Sequence, residues 1–372
     1  MKRIYADNAA TTPINFNASI ALINTMYQFP GNPSSSHAEG RDAKEKLEEY
    51  RERCAACLDC EPNEIVFTSG ATEGNTTIKE TTLRDDLYHY SCSTIEHPSM
   101  YTPRSADIGV KPNGIVVDFD DYAWECTELL LSVMTANNEI GTIQPVKEIA
   151  AFCRSKGILF HTDATAAVGH IPVSFREIGA DFLTLSAHKF YGPRGVGILI
   201  VRNGTEFYPL MTGGKQERGH RAGTENLPGI AGMTVALEES VRNLEENMEK
   251  TVRMRDKLME GLLLIPSTIL NGDPERRLPG NVNVSFDGIE GESLLTLLDA
   301  KGISASAGSA CHTGVSEPSH VLLAIGRTRE QANASLRLTI DENNTDEEID
   351  IIIGTVRESV EYLRKFTPNR TK

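Results

Sequence analysis

Four short segments carry residues whose types could do chemistry. In Thr68-Ser69-Gly70-Ala71-Thr72-Glu73-Gly74-Asn75 an apolar run ends in a turn of small residues that opens a helix. Free backbone N–H groups and the positive helix end favour an anion such as phosphate there, and Thr72 adds a hydroxyl donor. On its own this signal is weak, because many strand-to-helix turns are only turns. Ile158-Leu159-Phe160-His161-Thr162-Asp163 ends in a carboxylate at the strand edge where open α/β sheets take ligands. That acid either pairs with a cation or caps the next helix. Leu183-Thr184-Leu185-Ser186-Ala187-His188-Lys189 sets a lysine between apolar runs. Desolvation lowers an amine's pKa, and a neutral amine condenses with an aldehyde; the alternative is a lysine snorkelling to the surface. In Ser304-Ala305-Ser306-Ala307-Gly308-Ser309-Ala310-Cys311-His312-Thr313-Gly314, small residues surround a thiol. Such a loop leaves a thiolate reachable, and a protonated His312 would lower the pKa of Cys311.

The elements that must position these groups alternate helices with short apolar strands, which predicts an α/β sheet sandwiched by helices. Strands are expected at 65–68, 129–134, 158–161, 182–185 and 196–201. After Pro228 one long helical stretch reaches about Leu264 and is expected to carry the chain from a first domain to a second. Beyond it, Val282, Val284 and Phe286, then Leu336, Leu338 and Ile340, alternate with polar residues, predicting strands with one buried face. Thr345 with Glu348 forms a capping box, ahead of an apolar stripe through Ile349, Ile352, Ile353, Val356, Val360 and Leu363.

With 372 residues, 40% of them hydrophobic and 24% charged, the chain can bury a real core. A formal net charge of -15 argues against nucleic acid and anionic lipid as partners. No run approaches the roughly 20 apolar residues of a membrane span, so a cytoplasmic protein is expected. Seven cysteines without framework spacing read as reduced thiols. Cys54, Cys57 and Cys60 resemble a cluster-ligating run. Yet Ala43, Leu47, Tyr50, Cys54 and Cys57 also form the stripe of an amphipathic helix, in which free cysteine packs as a small hydrophobe; that reading is preferred.

Taken together, the segments resemble the cysteine desulfurases of the NifS/IscS type, within the class V pyridoxal-phosphate-dependent aminotransferases. The resemblance runs from Tyr5-Ala6-Asp7-Asn8-Ala9-Ala10-Thr11-Thr12-Pro13 through Glu96-His97, Asn137-Asn138-Glu139-Ile140-Gly141, the Lys189 segment and Arg218-Gly219-His220-Arg221-Ala222-Gly223-Thr224, to Cys311 and Ser335-Leu336-Arg337. It implies a fold type I α/β architecture. A large domain (15–245) would hold a mainly parallel seven-stranded sheet, and a smaller α+β domain (1–14 and 246–372) would carry the Cys311 loop and Arg337. It implies pyridoxal 5′-phosphate held by Lys189, with Asp163 on the pyridinium nitrogen and His97 stacked on the ring and handling protons. Phosphate ligands would be Ala71, Thr72, Ser186 and His188, with Thr224 reaching in from the second subunit of a homodimer. Asn138, beside the cofactor, and Arg337 would meet the substrate carboxylate; Arg337 alternates with Leu336 and Leu338, so its guanidinium can face a cleft.

The implied reaction takes sulfur from L-cysteine onto Cys311 as a persulfide, releases alanine, and passes the sulfur to an acceptor protein such as an iron-sulfur scaffold or a thiolation enzyme. A selenocysteine lyase-like enzyme of the same class shares every cofactor residue. A sulfur-relay component with weak catalysis is the reading from a different class. Three positions depart from the family: Ala166 stands where a glutamine usually donates to the cofactor's phenolic oxygen, His312 follows the thiol, and Asp341 replaces a glycine. The first predicts a retuned enzyme.

Overall fold

A computed structural model describes residues 3–83, 89–101, 106–117, 129–307 and 317–366. Cys311 and His312, singled out above, lie outside the described residues. In chain order the strands are β1 (Ile4–Tyr5), β2 (Ile65–Thr68), β3 (His89–Ser93), β4 (Ala106–Ile108), β5 (Leu129–Ser132), β6 (Leu159–Asp163), β7 (Phe182–Ser186), β8 (Gly197–Val201), β9 (Thr268–Leu270), β10 (Asn281–Phe286), β11 (Ile303–Ser304) and β12 (Ser335–Thr339). The helices are α1 (Phe16–Gln28), α2 (Ala38–Leu58), α3 (Ala71–Leu83), α4 (Val146–Lys156), α5 (Phe175–Ile178), α6 (Leu227–Arg242), α7 (Leu244–Leu263), α8 (Gly291–Ala300), α9 (His320–Ala324), α10 (Arg329–Asn333) and α11 (Asp346–Arg364).

Seven strands form one sheet in the order β2-β8-β7-β6-β5-β3-β4. The pairs from β7 through β6, β5 and β3 to β4 are parallel, while β8 runs antiparallel to both β7 and β2. All five expected strands are present. β6 and β7 are buried along both faces, polar residues such as His161, Thr162 and Thr184 included, so they lack the alternation that marks a half-exposed strand. Their C-terminal ends lie side by side, which sets Asp163 at the end of β6 next to Ser186 at the end of β7.

A second core gathers Met254, Leu258, Val282, Val284, Phe286, Leu336, Leu338, Ile349, Ile352 and Val356. Its three-stranded sheet runs β12-β10-β9, and β1 pairs with β11 beside it. α11 begins as expected: Thr345 Oγ1 accepts from the Glu348 N–H at 3.2 Å, and Glu348 Oε2 accepts from the Thr345 N–H at 3.3 Å. Ile349, Ile352, Val356 and Val360 are buried, each stabilising the fold by roughly 1.5–3 kcal/mol.

Two expectations need correction. The helical stretch after Pro228 is not one helix: it breaks at Asn243, whose N–H closes α6 on the Glu239 carbonyl while α7 starts at Leu244. α6 packs into the first core and α7 into the second, so the break redirects the chain between them. The strand β10 is also buried on both faces. Its polar face is covered, because Asn271 Nδ2 donates to Asn283 Oδ1 at 2.8 Å and to Ser285 Oγ at 2.9 Å, and Asn283 Nδ2 donates to the Glu139 carbonyl at 3.0 Å. Alternation therefore marks a polar contact with the first core's loops rather than solvent.

Cys54 and Cys60 are buried and Cys57 half-buried, all three free thiols in or against the first core. Burial pushes Cys54 up to about 12 and Cys57 to about 11, the opposite of what a thiolate ligand needs. Among the described residues no group of three side chains could hold a metal ion, and no helix is long and apolar enough to cross a membrane.

Candidate active site

The strand ends and the small-residue turn converge on a pocket of about 570 Å³. Of the residues singled out from the sequence, Ala71, Thr72, His97, Asn138, Asp163, Ser186, His188, Lys189 and Arg337 line it. Thr224 does not: it is exposed and outside the lining.

The turn after β2 is built for a close approach. Gly70 sits at φ +149°, and a Cβ there would stand 3.3 Å from Ser186 Oγ, so only glycine fits without strain. The Ser69 N–H donates to Glu73 Oε2 at 2.8 Å, and Arg221 Nε bonds Glu73 Oε1 at 2.9 Å, pinning the first turn of α3. The leading N–H groups of a helix have no acceptor within it, and here the first two residues of α3, Ala71 and Thr72, line the pocket beside Ser186 and His188. This is a cradle for an anion.

Lys189 follows β7 on a single 3-10 turn, Ala187–Lys189. Its Nζ donates to the Ala9 carbonyl, and to that of Ala10 at 2.8 Å. Burial, helped by the charge on Arg337 and opposed by Asp7 and Asp163, lowers its pKa to about 8. His188 is pulled down to about 4 by burial and by the Lys189 and Arg194 charges, which leaves a neutral imidazole. Its Nδ1 lies 3.2 Å from Thr11 Oγ1. His170 Nε2 donates to the Lys189 carbonyl at 2.8 Å and steadies the turn.

Asp163 is buried, with Oδ1 accepting from the Thr165 N–H at 2.9 Å and Oδ2 from Asn75 Nδ2 at 2.7 Å. Opposite, Arg337 Nη2 pairs with Asp7 Oδ1 at 2.9 Å and Nη1 reaches the Asn138 carbonyl at 3.4 Å. Its Nε is buried without a hydrogen-bond partner, while the residue itself borders the pocket. Glu96, next to His97, is fully buried, and burial raises its carboxyl to about 8.

Sequence reasoning assigned no role to Asp7, Ala9, Ala10, Asn75, Thr165 or Arg194, all of which line the pocket or hold a residue that does. The run from Tyr5 to Pro13 was visible as a motif, but nothing in it told that two of its carbonyls would hold an amine from 180 residues away. The donor set fits a phosphate-bearing pyridine aldehyde: a helix start with hydroxyls for the phosphate, a buried anion for a ring cation, and a desolvated amine for the aldehyde.

The aminotransferase class-V family model matches residues 4–352. The chain belongs to this family, whose enzymes depend on pyridoxal 5′-phosphate. Its relatives are narrower in description. Cysteine desulfurase IscS of Methanosarcina thermophila is 44% identical, the match covering 99% of this chain and 94% of the relative. Cysteine desulfurase IscS 1 of Archaeoglobus fulgidus is 41% identical, covering 98% of each. Among solved structures, a NifS-like protein superposes with a TM-score of 0.88 at 34% identity, over 97% of this chain and 100% of the other. SspA in complex with cysteine gives 0.79 at 28% identity, over 92% of this chain and 100% of the other.

Proposed function

We propose that the chain is a cysteine desulfurase that moves the sulfur of L-cysteine onto Cys311, releases L-alanine and delivers the persulfide sulfur to an acceptor protein. The observation that carries this reading is one pocket holding a lysine of pKa about 8, a buried carboxylate, a helix start and a guanidinium. The relatives' descriptions and the cysteine-bound neighbour support the substrate.

When bound, pyridoxal 5′-phosphate supplies an electron sink for carbanion chemistry at the substrate's α-carbon. The chain's own residues then have these parts. Ala71, Thr72, Ser186 and His188 hold the phosphate, and Asp163 holds the ring nitrogen protonated. Arg337, which borders the pocket, binds the substrate carboxylate with Asn138 beside it. Lys189 Nζ, neutral in part near pH 7, takes the α-proton, and His97 moves a proton at its ring nitrogen. The Cys311 thiolate attacks the substrate sulfur: the S–S bond forms, the carbon–sulfur bond breaks, and its electron pair stays on the β-carbon, which is protonated to the methyl group of alanine. No net proton is consumed, and the thiolate becomes a persulfide anion.

Thr224, exposed within one chain, is assigned to the phosphate of a second subunit in a homodimer. We assign the chain to two parts, 15–245 and 1–14 with 246–372; the cluster around Met254 and Val282 takes in Ile4 and Ala6 and supports this, while Leu278 packs into the other and Val321 packs with Ile95. A cytoplasmic setting accords with free thiols throughout the described cysteines. The acceptor is an iron-sulfur scaffold or a thiolation enzyme. With L-cysteine and dithiothreitol, the wild type will form alanine and sulfide, and Cys311→Ala will form neither above background. Equal alanine from both would overturn the persulfide step.

Ala166 lines the pocket and also a neighbouring cavity of about 50 Å³ shared with Lys189 and Asn138. An Ala166→Gln amide will reach the cofactor's phenolic oxygen and draw charge from it, weakening its hold on the neighbouring proton. The pH midpoint of the bound cofactor's visible absorbance will fall by about one unit, the size of one charge-assisted hydrogen bond. An unchanged midpoint would show that this alanine does not tune the site.

A further inference from the structure

A directed chain of hydrogen bonds joins the acid at the end of β6 to the histidine after β3. Asn75, on the second turn of α3, has no exposed surface. Its Nδ2 donates to Asp163 Oδ2 at 2.7 Å and to Ser99 Oγ at 2.9 Å. Both amide hydrogens are therefore used, and Oδ1 is left buried without a partner. The opposite amide orientation would set Oδ1 against the Asp163 carboxylate, oxygen on oxygen, so the anion fixes which way the amide points. An unsatisfied buried carbonyl is costly, and an amide kept in such a position serves geometry rather than stability.

Direction then passes to the next groups. Because Ser99 Oγ accepts from Asn75, its own hydrogen is free for His97 Nδ1, 2.7 Å away. The Ser99 backbone N–H points at the same nitrogen, at 3.2 Å. Two donors on Nδ1 leave no room for a proton there. We infer that Asn75 and Ser99 are positioning residues that carry the orientation of Asp163 to His97 and fix it as the tautomer protonated on Nε2. This rests on the reading of His97 as the proton-handling group over the cofactor. It goes further in assigning which nitrogen carries the proton and which two residues decide it. Partial desolvation lowers the pKa of His97, whose side chain keeps exposed surface, as do Lys189 and His320, against an opposing pull from Asp163. Two donors on Nδ1 act the same way, since an imidazolium would set one N–H against another.

The test uses the full-length holoenzyme labelled with ¹⁵N-histidine, with the His97 signals assigned by their loss in His97→Gln. Long-range ¹H–¹⁵N correlation of the wild type will give Nδ1 the shift of an unprotonated nitrogen and Nε2 that of a protonated one. Ser99→Ala, which keeps the backbone donor and removes the hydroxyl, will mix the tautomers and lower kcat about ten-fold with KM held. That is part of the roughly hundred-fold or more that acid–base catalysis contributes. Ser99→Thr will restore both readouts, and Asn75→Ala will act in the same direction as Ser99→Ala. A wild-type His97 protonated on Nδ1, or a Ser99→Ala protein with the wild-type tautomer, would overturn the relay. The tautomer is read without turnover. A chain that makes no alanine yet shows the Nε2–H form would therefore sink the desulfurase reading and leave the relay standing.

Discussion

Lys189→Ala will abolish covalent retention of pyridoxal 5′-phosphate and reduce alanine formation from L-cysteine by roughly three orders of magnitude. The size of the effect follows from the amine's environment. Burial and the Arg337 charge bring Lys189 to about 8, although the Ala9 and Ala10 carbonyls and two carboxylates favour its charged form. About a tenth of the amine is then neutral at pH 7, whereas a lysine at 10.5 is neutral to well under one part in a thousand. Capture of added cofactor by the cofactor-free chain, followed by its visible absorbance, will rise about ten-fold per pH unit below 8 and level off above it. A rate still climbing ten-fold between pH 9 and 10 would place the reactive amine elsewhere. Lys189→Arg separates charge from reactivity, because a guanidinium keeps the cation and cannot lose its proton; it will fail as fully as alanine. The linkage to stability has a definite sign. The folded value lies below the unfolded 10.5, so the native state binds fewer protons between 8 and 10.5. Lys189 therefore costs stability at low pH, and the cost is relieved as pH rises through that window.

How much of this was legible in the sequence depends on the range of the signal. The strand-end acid, the lysine and the small-residue turn each follow an apolar run, and a parallel sheet necessarily gathers the C-terminal ends of its strands. Local pattern therefore pointed to Asp163, Lys189 and the turn at Ala71 one at a time, and the family resemblance was needed to add Ser186 and to bring them into one site. The groups that tune them were not legible, because each acts across the fold. Asp7 reaches Arg337 over 330 positions, and Ala9 reaches Lys189 over 180. Asn75 was quoted as the end of a turn motif, yet its value lies in two side chains that meet it from β6 and from the segment after β3. The alternation in β10 misled for a related reason. Periodicity separates apolar from polar faces, but only the tertiary structure tells whether the polar face meets water or buried amides.

The second large effect is on folding. Glu217→Ala will destabilise the chain by about 3 kcal/mol, because it strips the bidentate partner from a buried guanidinium and leaves it only the partly exposed Glu48, whose Oε2 lies 3.1 Å from Arg51 Nε. Arg51 and Glu217 form a bidentate pair, Nη1–Oε2 and Nη2–Oε1 both 2.8 Å, with side chains only 2% and 1% exposed. Further bonds surround the pair: Glu217 Oε2 also accepts from the Phe67 N–H at 2.9 Å, Arg51 Nη1 donates to the Ile65 carbonyl at 3.0 Å, and Arg51 Nε donates to Glu48 Oε2 at 3.1 Å. Burial alone would lower the Arg51 pKa, and the contacts with Glu217 and then Glu48 together override it and raise it. The pair also fixes backbone that would otherwise relax. Glu217 and Arg218 sit at φ 45° and 57°, a left-handed region that costs non-glycine residues energy and persists only where surroundings enforce it. This loop leads directly into Arg221, which pins the start of α3, and into Thr224. Glu217→Gln keeps the shape and one acceptor and will lose less stability than alanine. Urea unfolding of the three proteins measures the order, and cofactor retention measured alongside it will fall in the same order as the phosphate cradle loosens. An alanine variant as stable as the wild type would mean that water reaches Arg51 and that the pair does not hold the loop.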